Sequence, residues 1–398
     1  MTGGSDPSSA SAGLYVHIPY CLSICPYCDF DRQATGFEGI PRYVGALATE
    51  LTLHQPRSIH SIFFGGGTPS LLDPPLIDRF LRAAAARFDV APSAEITLEA
   101  NPTECTVERL TGYRAAGVNR LSIGVQSLDD GELAVLGRRH EAATVDMAVR
   151  AARRAGFDNL SLDLMLGLPG SSDESWRLTL GRAIELAPQH LSCYVLTLDD
   201  RTPMGRDVAA GRILLPSDDA VADQYALTQS LLKQAGFVQY EISNWAQPAR
   251  ESRHNLTYWR DEPYVGVGAG AAGSINGRRY KNTPSPRRYM QSVRRGAVDL
   301  VEDEQPDRAI SLCDFIALGL RLREGLDLAE LERRYAVDLR DLLGSRLSDL
   351  VAARVLETSD ERLRVAEPHI LVSSEIFAQL TAAVRESLAS SSELAIAR

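Results

Sequence analysis

The sequence has no run of about 18 apolar residues, so no helix of it is expected to cross a bilayer. Its first twelve residues, MTGGSDPSSASA, lack both the basic start and the apolar core of a secretory signal, and read as a disordered tail, 1–12. Positive charge is short as well: 42 Lys and Arg against 52 Asp and Glu leave a net charge of −10. No global field therefore draws the chain to nucleic acid, and none is expected as a partner. Cysteine is scarce, six in 398 residues, and three of the six crowd into one short stretch. That usage suits a reducing cytoplasm, where we place the protein, rather than a disulfide framework. Cys105, Cys193 and Cys313 lie scattered among apolar neighbours and read as buried packing residues.

What is present is organised around residues 14–30, LYVHIPYCLSICPYCDF. An apolar run at 14–18 reads as a strand that Pro19 ends. Cys21, Cys25 and Cys28 follow on a loop in the spacing CxxxCxxC. Thiolates are the usual protein ligands of iron–sulfur clusters, and a full set is four. Three leave one iron of a 4Fe–4S cluster open to a small chelating molecule. The competing readings are zinc and a disulfide. Structural zinc takes four closed ligands, and Cys25/Cys28 has no second pair at finger spacing downstream.

From there strands and helices alternate. Strands are expected at 14–18, 59–64, 94–99, 120–125, 160–166 and 191–198. Helices are expected at 39–54, 74–88, up to 116, 144–155 and 171–186, the last capped by Ser171 with Glu174. Asp129 with Glu132 has the spacing of a capping box on a further short helix. Parallel neighbours need crossovers, so this succession implies a parallel sheet with helices outside. Such sheets carry their sites at the carboxyl ends of the strands. Gly65-Gly66-Gly67-Thr68 ends the second strand, Glu99-Ala100-Asn101 the third and Gln126 the fourth, while Asp163 lies on the fifth. Polar residues at like positions on successive strands point at one cavity.

Past 236 the alternation stops. Residues 265–275, VGVGAGAAGSI, allow close backbone packing, and Arg278, Arg279, Lys281, Arg287 and Arg288 form a basic segment read as solvated surface. Beyond 305, helical patterns at 309–323, 328–335 and 339–353, a hairpin (355–358 with 363–365) and a helix at 368–388 suggest a small α+β, winged-helix-like domain. Residues 390–398 read as a frayed tail.

The cysteine stretch resembles the signature of the radical S-adenosylmethionine (SAM) superfamily. In that family the open iron holds the amino and carboxylate groups of SAM, and an electron from the cluster cleaves the sulfonium. HIPYCLSICPYCDF, FFGGGTPSLL, LEANP, RLSIGVQSLDD, LDLMLGLPG, YEISNWA and HNLTYW resemble, in order, the branch of the oxygen-independent coproporphyrinogen III oxidases and their relatives. The resemblance implies a partial (β/α)6 barrel at 13–236, an extension at 237–305 and a HemN-like domain at 306–398. It implies that Cys21, Cys25 and Cys28 hold the cluster. It further implies that SAM is contacted by Tyr15, Tyr27, Gly66, Gly67, Thr68, Glu99, Gln126, Arg138, Asp163 and Ala272.

Two details divide the branch. The oxidases carry a further cysteine two positions after the third; here that position is Phe30. His254-Asn255-Leu256-Thr257-Tyr258-Trp259 resembles the HNxxYW pattern of the heme chaperones in this branch. Imidazole ligates heme iron and flat rings pack on the macrocycle, so His254 is the candidate heme ligand. The function expected is binding of heme and its delivery to acceptor proteins, membrane-bound respiratory enzymes among them, with a homodimer left open. The alternative is the oxidase, radical decarboxylation of coproporphyrinogen III in porphyrin biosynthesis.

Overall fold

Every strand of the first half alternates apolar and polar residues, and the two faces meet different surroundings. We label the strands β1 (Ala12–Ile18), β2 (Ser58–Gly66), β3 (Asp89–Ala100), β4 (Arg120–Gln126), β5 (Leu160–Leu166) and β6 (His190–Val195). The computed structural model describes residues 11–34, 39–55, 57–359 and 361–396. In it these six strands pair side by side, all parallel, from Gly13↔Ser61 to Leu166↔Val195. One face carries Leu14, Val16, Ile18, Ile62, Phe64, Leu98, Leu121, Ile123, Leu162, Leu164 and Leu191, almost all without solvent exposure. Each such side chain contributes about 1.5–3 kcal/mol by leaving water. This face packs against the crossover helices; Phe64, for instance, meets Phe80 edge-on at 5.4 Å.

The helices are α1 (Ile40–Leu51), α2 (Pro74–Arg87), α3 (Val107–Ala116), α4 (Asp130–Val135), α5 (Ala142–Arg154) and α6 (Asp173–Glu185). Thr106 accepts from the Arg109 N–H to start α3, and Gly117, at φ 113°, stops it. Asp129 caps α4, but Glu132 turns to the hydroxyls of Ser127 and Ser175, so only half of the expected capping box forms. At α6 the box is complete one residue later than expected. Ser172 and Ser175 bond reciprocally, in place of Ser171 and Glu174, because a second serine stands next to the first.

The sheet extends where no strand was expected beside β1. Residues 264–267, β7 (Tyr264–Val267), pair parallel to β1 on the side opposite β2, Gly13↔Tyr264 through Val16↔Val267. Strands β8 (Ala272–Ile275), β9 (Arg278–Asn282) and β10 (Leu300–Glu304) continue it antiparallel. The parallel core is thus a barrel left open at its edge, the partial barrel expected. Glu50 of α1, fully buried, ties this extension down by accepting from Gly268 N (2.7 Å), Asn282 Nδ2 (2.8 Å) and Tyr289 Oη (2.5 Å).

Two units make up the chain: one runs to Val238 and adds Trp245–His254 and Pro263–Glu304, the other comprises Gln239–Asn244, Asn255–Glu262 and Gln305–Arg398. The segment read as 237–305 is therefore shared between them. The second unit contains the expected helices and hairpin, as a three-stranded antiparallel sheet of Leu326–Asp327, Arg362–Val365 and Leu356–Thr358 with helices around it. The helix expected over 339–353 is broken at Gly344, whose φ is 52°. At the start, the tail expected over 1–12 lies outside the described residues as far as position 10, and Ala12 is the first residue of β1. The last helix, Ser373–Ile396, runs through residues expected to fray.

Candidate cluster and cofactor site

The loop after β1 is closed at both ends. Gln33 N donates to Pro19 O (2.8 Å), and Tyr20–Cys21 pairs with Gln33–Ala34. His17, at the end of β1, donates from Nε2 to Asp31 O (2.8 Å), which leaves Nδ1 to accept from the Tyr15 hydroxyl (3.0 Å). Lys281 of β9 pairs with the Asp31 carboxylate at 3.0 Å. Cys21, Cys25 and Cys28 all lie on this tethered loop, partly exposed and without disulfides. Donors face two of the sulfurs: Thr68 Oγ1 stands 3.5 Å from Cys21 Sγ, and Arg138 Nη1 3.7 Å from Cys25 Sγ. Burial pushes the Cys21 and Cys28 thiols above their ordinary value, so a metal must displace their protons.

Among the described residues, no three His, Cys, Asp or Glu side chains converge on one metal position. A mononuclear zinc cage takes its ligands on a single ion. A 4Fe–4S cluster asks for something different, since each thiolate takes its own iron. Three free thiols on one closed loop, with donors aimed at two of them, fit that demand.

The second face of the sheet forms the lumen. Tyr15, Phe63, Gly66, Gly67, Glu99, Gly124, Gln126, Asp163 and Met165 are each partly exposed along it, whereas their outward neighbours are buried. Gly67 is required where it stands: its N–H bonds Ile18 O at 2.8 Å, and a Cβ there would meet Tyr20 O at 2.8 Å. Gly66 N donates to Glu99 Oε2 (3.1 Å), and Thr68 Oγ1 to Asn101 Nδ2 spans 3.3 Å. Arg138 binds Asn101 Oδ1 and Gly124 O, both at 2.8 Å, and lies 3.5 Å from the Tyr27 hydroxyl. Tyr27 packs against the cluster of Leu136, Leu168, Leu196 and Met204. Gln126 has φ 69°, an uncommon backbone for a residue with a Cβ, and folds its side chain back towards Gly124. Asp163 accepts from Ser122 (2.9 and 3.0 Å) and Ser161 (3.0 Å). Burial, reinforced by Asp163, pushes the Glu99 carboxyl up to about 8; burial also raises Asp163. Ala272 begins β8, exposed and opposite Lys281.

Below these residues the lumen closes on side chains that the sequence analysis did not single out. Arg120, Thr97, Ser161 and His190 are 0–1% exposed. Their signal was there as a period of two, Glu95-Thr97-Glu99, Arg120-Ser122, Ser161-Asp163 and His190-Ser192, polar on one face of strands that are otherwise apolar. His254 sits at this closed end, 1% exposed. Its Nδ1 is 2.9 Å from Ser61 Oγ, and its ring is stacked on Phe63 at 5.2 Å. Burial lowers its imidazole to about 3, so the ring is neutral. The structure therefore brings the cysteines, the glycine turn, Glu99, Arg138 and Asp163 to one mouth, and sets His254 at the other end of the lumen. Phe30, in the position where the oxidases have cysteine, is 62% exposed.

Comparison with known proteins agrees with this geometry. Residues 15–183 match the radical SAM superfamily and residues 312–371 the HemN C-terminal domain. In fold the chain is similar to coproporphyrinogen III oxidase (HemN) from Escherichia coli, with TM-score 0.80 and 23% identity over 95% of this chain and 91% of that one. The architecture and the cysteine loop thus define a radical SAM protein of the HemN-like branch. A protein of Lactococcus lactis named heme chaperone HemW is 32% identical over 93% of this chain and 96% of its own length. Those so named in Bacillus subtilis and Escherichia coli are 34% identical over 91% of this chain and 43% identical over 70% of it. The chain belongs to the HemW family.

Proposed function

We propose that this protein is a cytoplasmic heme chaperone that carries a 4Fe–4S cluster, SAM and heme, and hands heme to acceptor proteins, respiratory enzymes among them. Cys21, Cys25 and Cys28 hold the cluster, whose fourth iron SAM completes. Tyr15, Tyr27, Gly66, Gly67, Thr68, Glu99, Gln126, Arg138, Asp163 and Ala272 surround SAM. Arg138 and the glycine turn suit its carboxylate and amino groups, and Glu99 and Asp163 accept from hydroxyl or ammonium donors. His254 is the proposed heme ligand; ligation requires the ring to leave Ser61 and the Phe63 stack. The observation that carries this reading is the loop of three free thiols with Phe30 beside it, in a chain alike along nearly its whole length to proteins named heme chaperones.

The alternative, coproporphyrinogen III oxidation, draws on the likeness in fold to HemN, and Phe30 in place of a cysteine weighs against it. One experiment separates the two. The chain is reconstituted anaerobically, titrated with heme beside His254→Ala by the Soret band, and incubated with SAM and coproporphyrinogen III. Stoichiometric heme binding that His254→Ala weakens, without protoporphyrinogen formation, is expected. Turnover of coproporphyrinogen would overturn the chaperone.

A further inference from the structure

The floor of the lumen holds a buried guanidinium. Arg120 is 1% exposed and among the largest fully buried side chains, yet its Nε has no hydrogen-bond partner among the described residues. Thr97, its register partner across β3 and β4, has a buried Oγ1 in the same condition. Buried polar atoms in native proteins are almost always satisfied, by ordered water where protein atoms do not reach. Two orphaned atoms side by side in one chamber therefore mark where a water or a cofactor group belongs.

The surroundings say what the charge is for. Burial raises both Glu99 and Asp163, and Arg120 opposes that rise through space, with no side-chain hydrogen bond to either among the described residues. Facing Glu99 from the other strands are Asp163 of β5, Tyr15 of β1 and the Gly66 N–H of β2; Arg120 is the cation acting on it from β4. Opposing it, burial and the neighbouring carboxylate favour the protonated acid. A protonated Glu99 spends a lone pair on its own proton and cannot serve as a two-oxygen acceptor.

We propose that Arg120 is the positioning residue of the SAM pocket: from the floor of the lumen its guanidinium favours the carboxylate forms of Glu99 and Asp163, the forms that receive SAM's donors. His190, bonded to Ser161 and held neutral by burial and by Arg120, adds no competing charge beneath. The inference rests on Glu99 and Asp163 being SAM contacts, as proposed above.

The test is SAM affinity as a function of pH, by anaerobic equilibrium dialysis on the cluster-loaded chain, for the native protein, Arg120→Lys, Arg120→Gln and Glu99→Gln. For the native chain affinity should rise with pH through a midpoint near 8, where Glu99 ionises, and level off above it. Arg120→Gln should shift that midpoint upward by about one pH unit, which makes binding about tenfold weaker below it and equal to native well above it. Arg120→Lys should restore the native profile. An unshifted midpoint in Arg120→Gln overturns the proposal. Glu99→Gln with native affinity and native pH dependence instead overturns the assignment of Glu99 to SAM. Should Arg120→Gln fail to fold, the double variant Arg120→Gln/Glu99→Gln decides. Recovery of folding when both charges leave supports the counter-charge role, and continued failure refutes it.

Discussion

Removing the carboxylate of Glu50 should loosen the wall of the site from a distance. This residue is 0% exposed, and the basic group paired with it is His54, with Nε2 at 3.8 Å. Its charge is supported instead by three donors: Gly268 N and Tyr289 Oη on Oε2, and Asn282 Nδ2 on Oε1. Hydrogen bonds to a charged group are worth about 1.5–3 kcal/mol each. A glutamine can keep its oxygen at the Oε2 position, but then turns an amide N–H₂ at Asn282 Nδ2, which also donates to Gly268 O at 2.9 Å. One bond is lost to a donor–donor contact and two weaken to neutral strength, while the cost of burying a charge is relieved. The net for Glu50→Gln is a loss of about 2–4 kcal/mol, and for Glu50→Ala, which strands all three donors, about 3–5 kcal/mol. Urea unfolding followed by the fluorescence of buried Trp176 and Trp245 reads both. Asp303→Asn, which breaks an exposed pair with Arg278, should leave the midpoint unchanged. A Glu50→Gln chain as stable as the native one would refute the idea that this carboxylate anchors the segment 268–289.

Three further outcomes follow from the site. Gly67→Ala should cost the cluster-loaded chain iron and sulfide, because its Cβ would press on the backbone oxygens of Ile18 and Tyr20, at 2.9 and 2.8 Å, and displace the loop of Cys21; full iron content in that variant would refute the cradle. Glu99→Gln should make the cofactor-free chain more stable than native above about pH 7. The folded carboxyl binds its proton up to about pH 8, well above an unfolded glutamic acid, so native stability falls as pH rises through that window; equal urea midpoints across pH 5–8 would refute it. Heme uptake, if His254 is the ligand, should saturate at a rate independent of heme concentration, set by release of the ring from Ser61 and Phe63. A stopped-flow rate that stays linear in heme would exclude His254 as first ligand.

Much of the core was legible because strand and helix periods differ and glycine and proline punctuate them. The six parallel strands, the cysteine loop and the glycine turn all follow from patterns within about fifteen residues. The misses have physical causes. At Ser171 and Ser172, two neighbours offered the same hydroxyl, and only the backbone course chooses between them. The pairing of β7 with β1 joins segments about 250 residues apart in the sequence, and no local period carries that information. The polar floor was visible in principle, as alternation on β3 to β6, but a polar residue in a strand usually marks a solvated face. Here both faces are covered, one by helices and one by the curvature of the sheet. The position of His254 has a similar cause: the motif that suggests heme says nothing about which end of a barrel it occupies.

The loop of Cys21, Cys25 and Cys28 is fastened by Lys281, a residue translated long after it. A ribosome that has released only the first 260 residues has made every thiol of the site, but has neither the strand that covers the edge of β1 nor the cation that secures Asp31. The local contacts of the loop form early, and the last fastening of Asp31 comes with the later part of the chain.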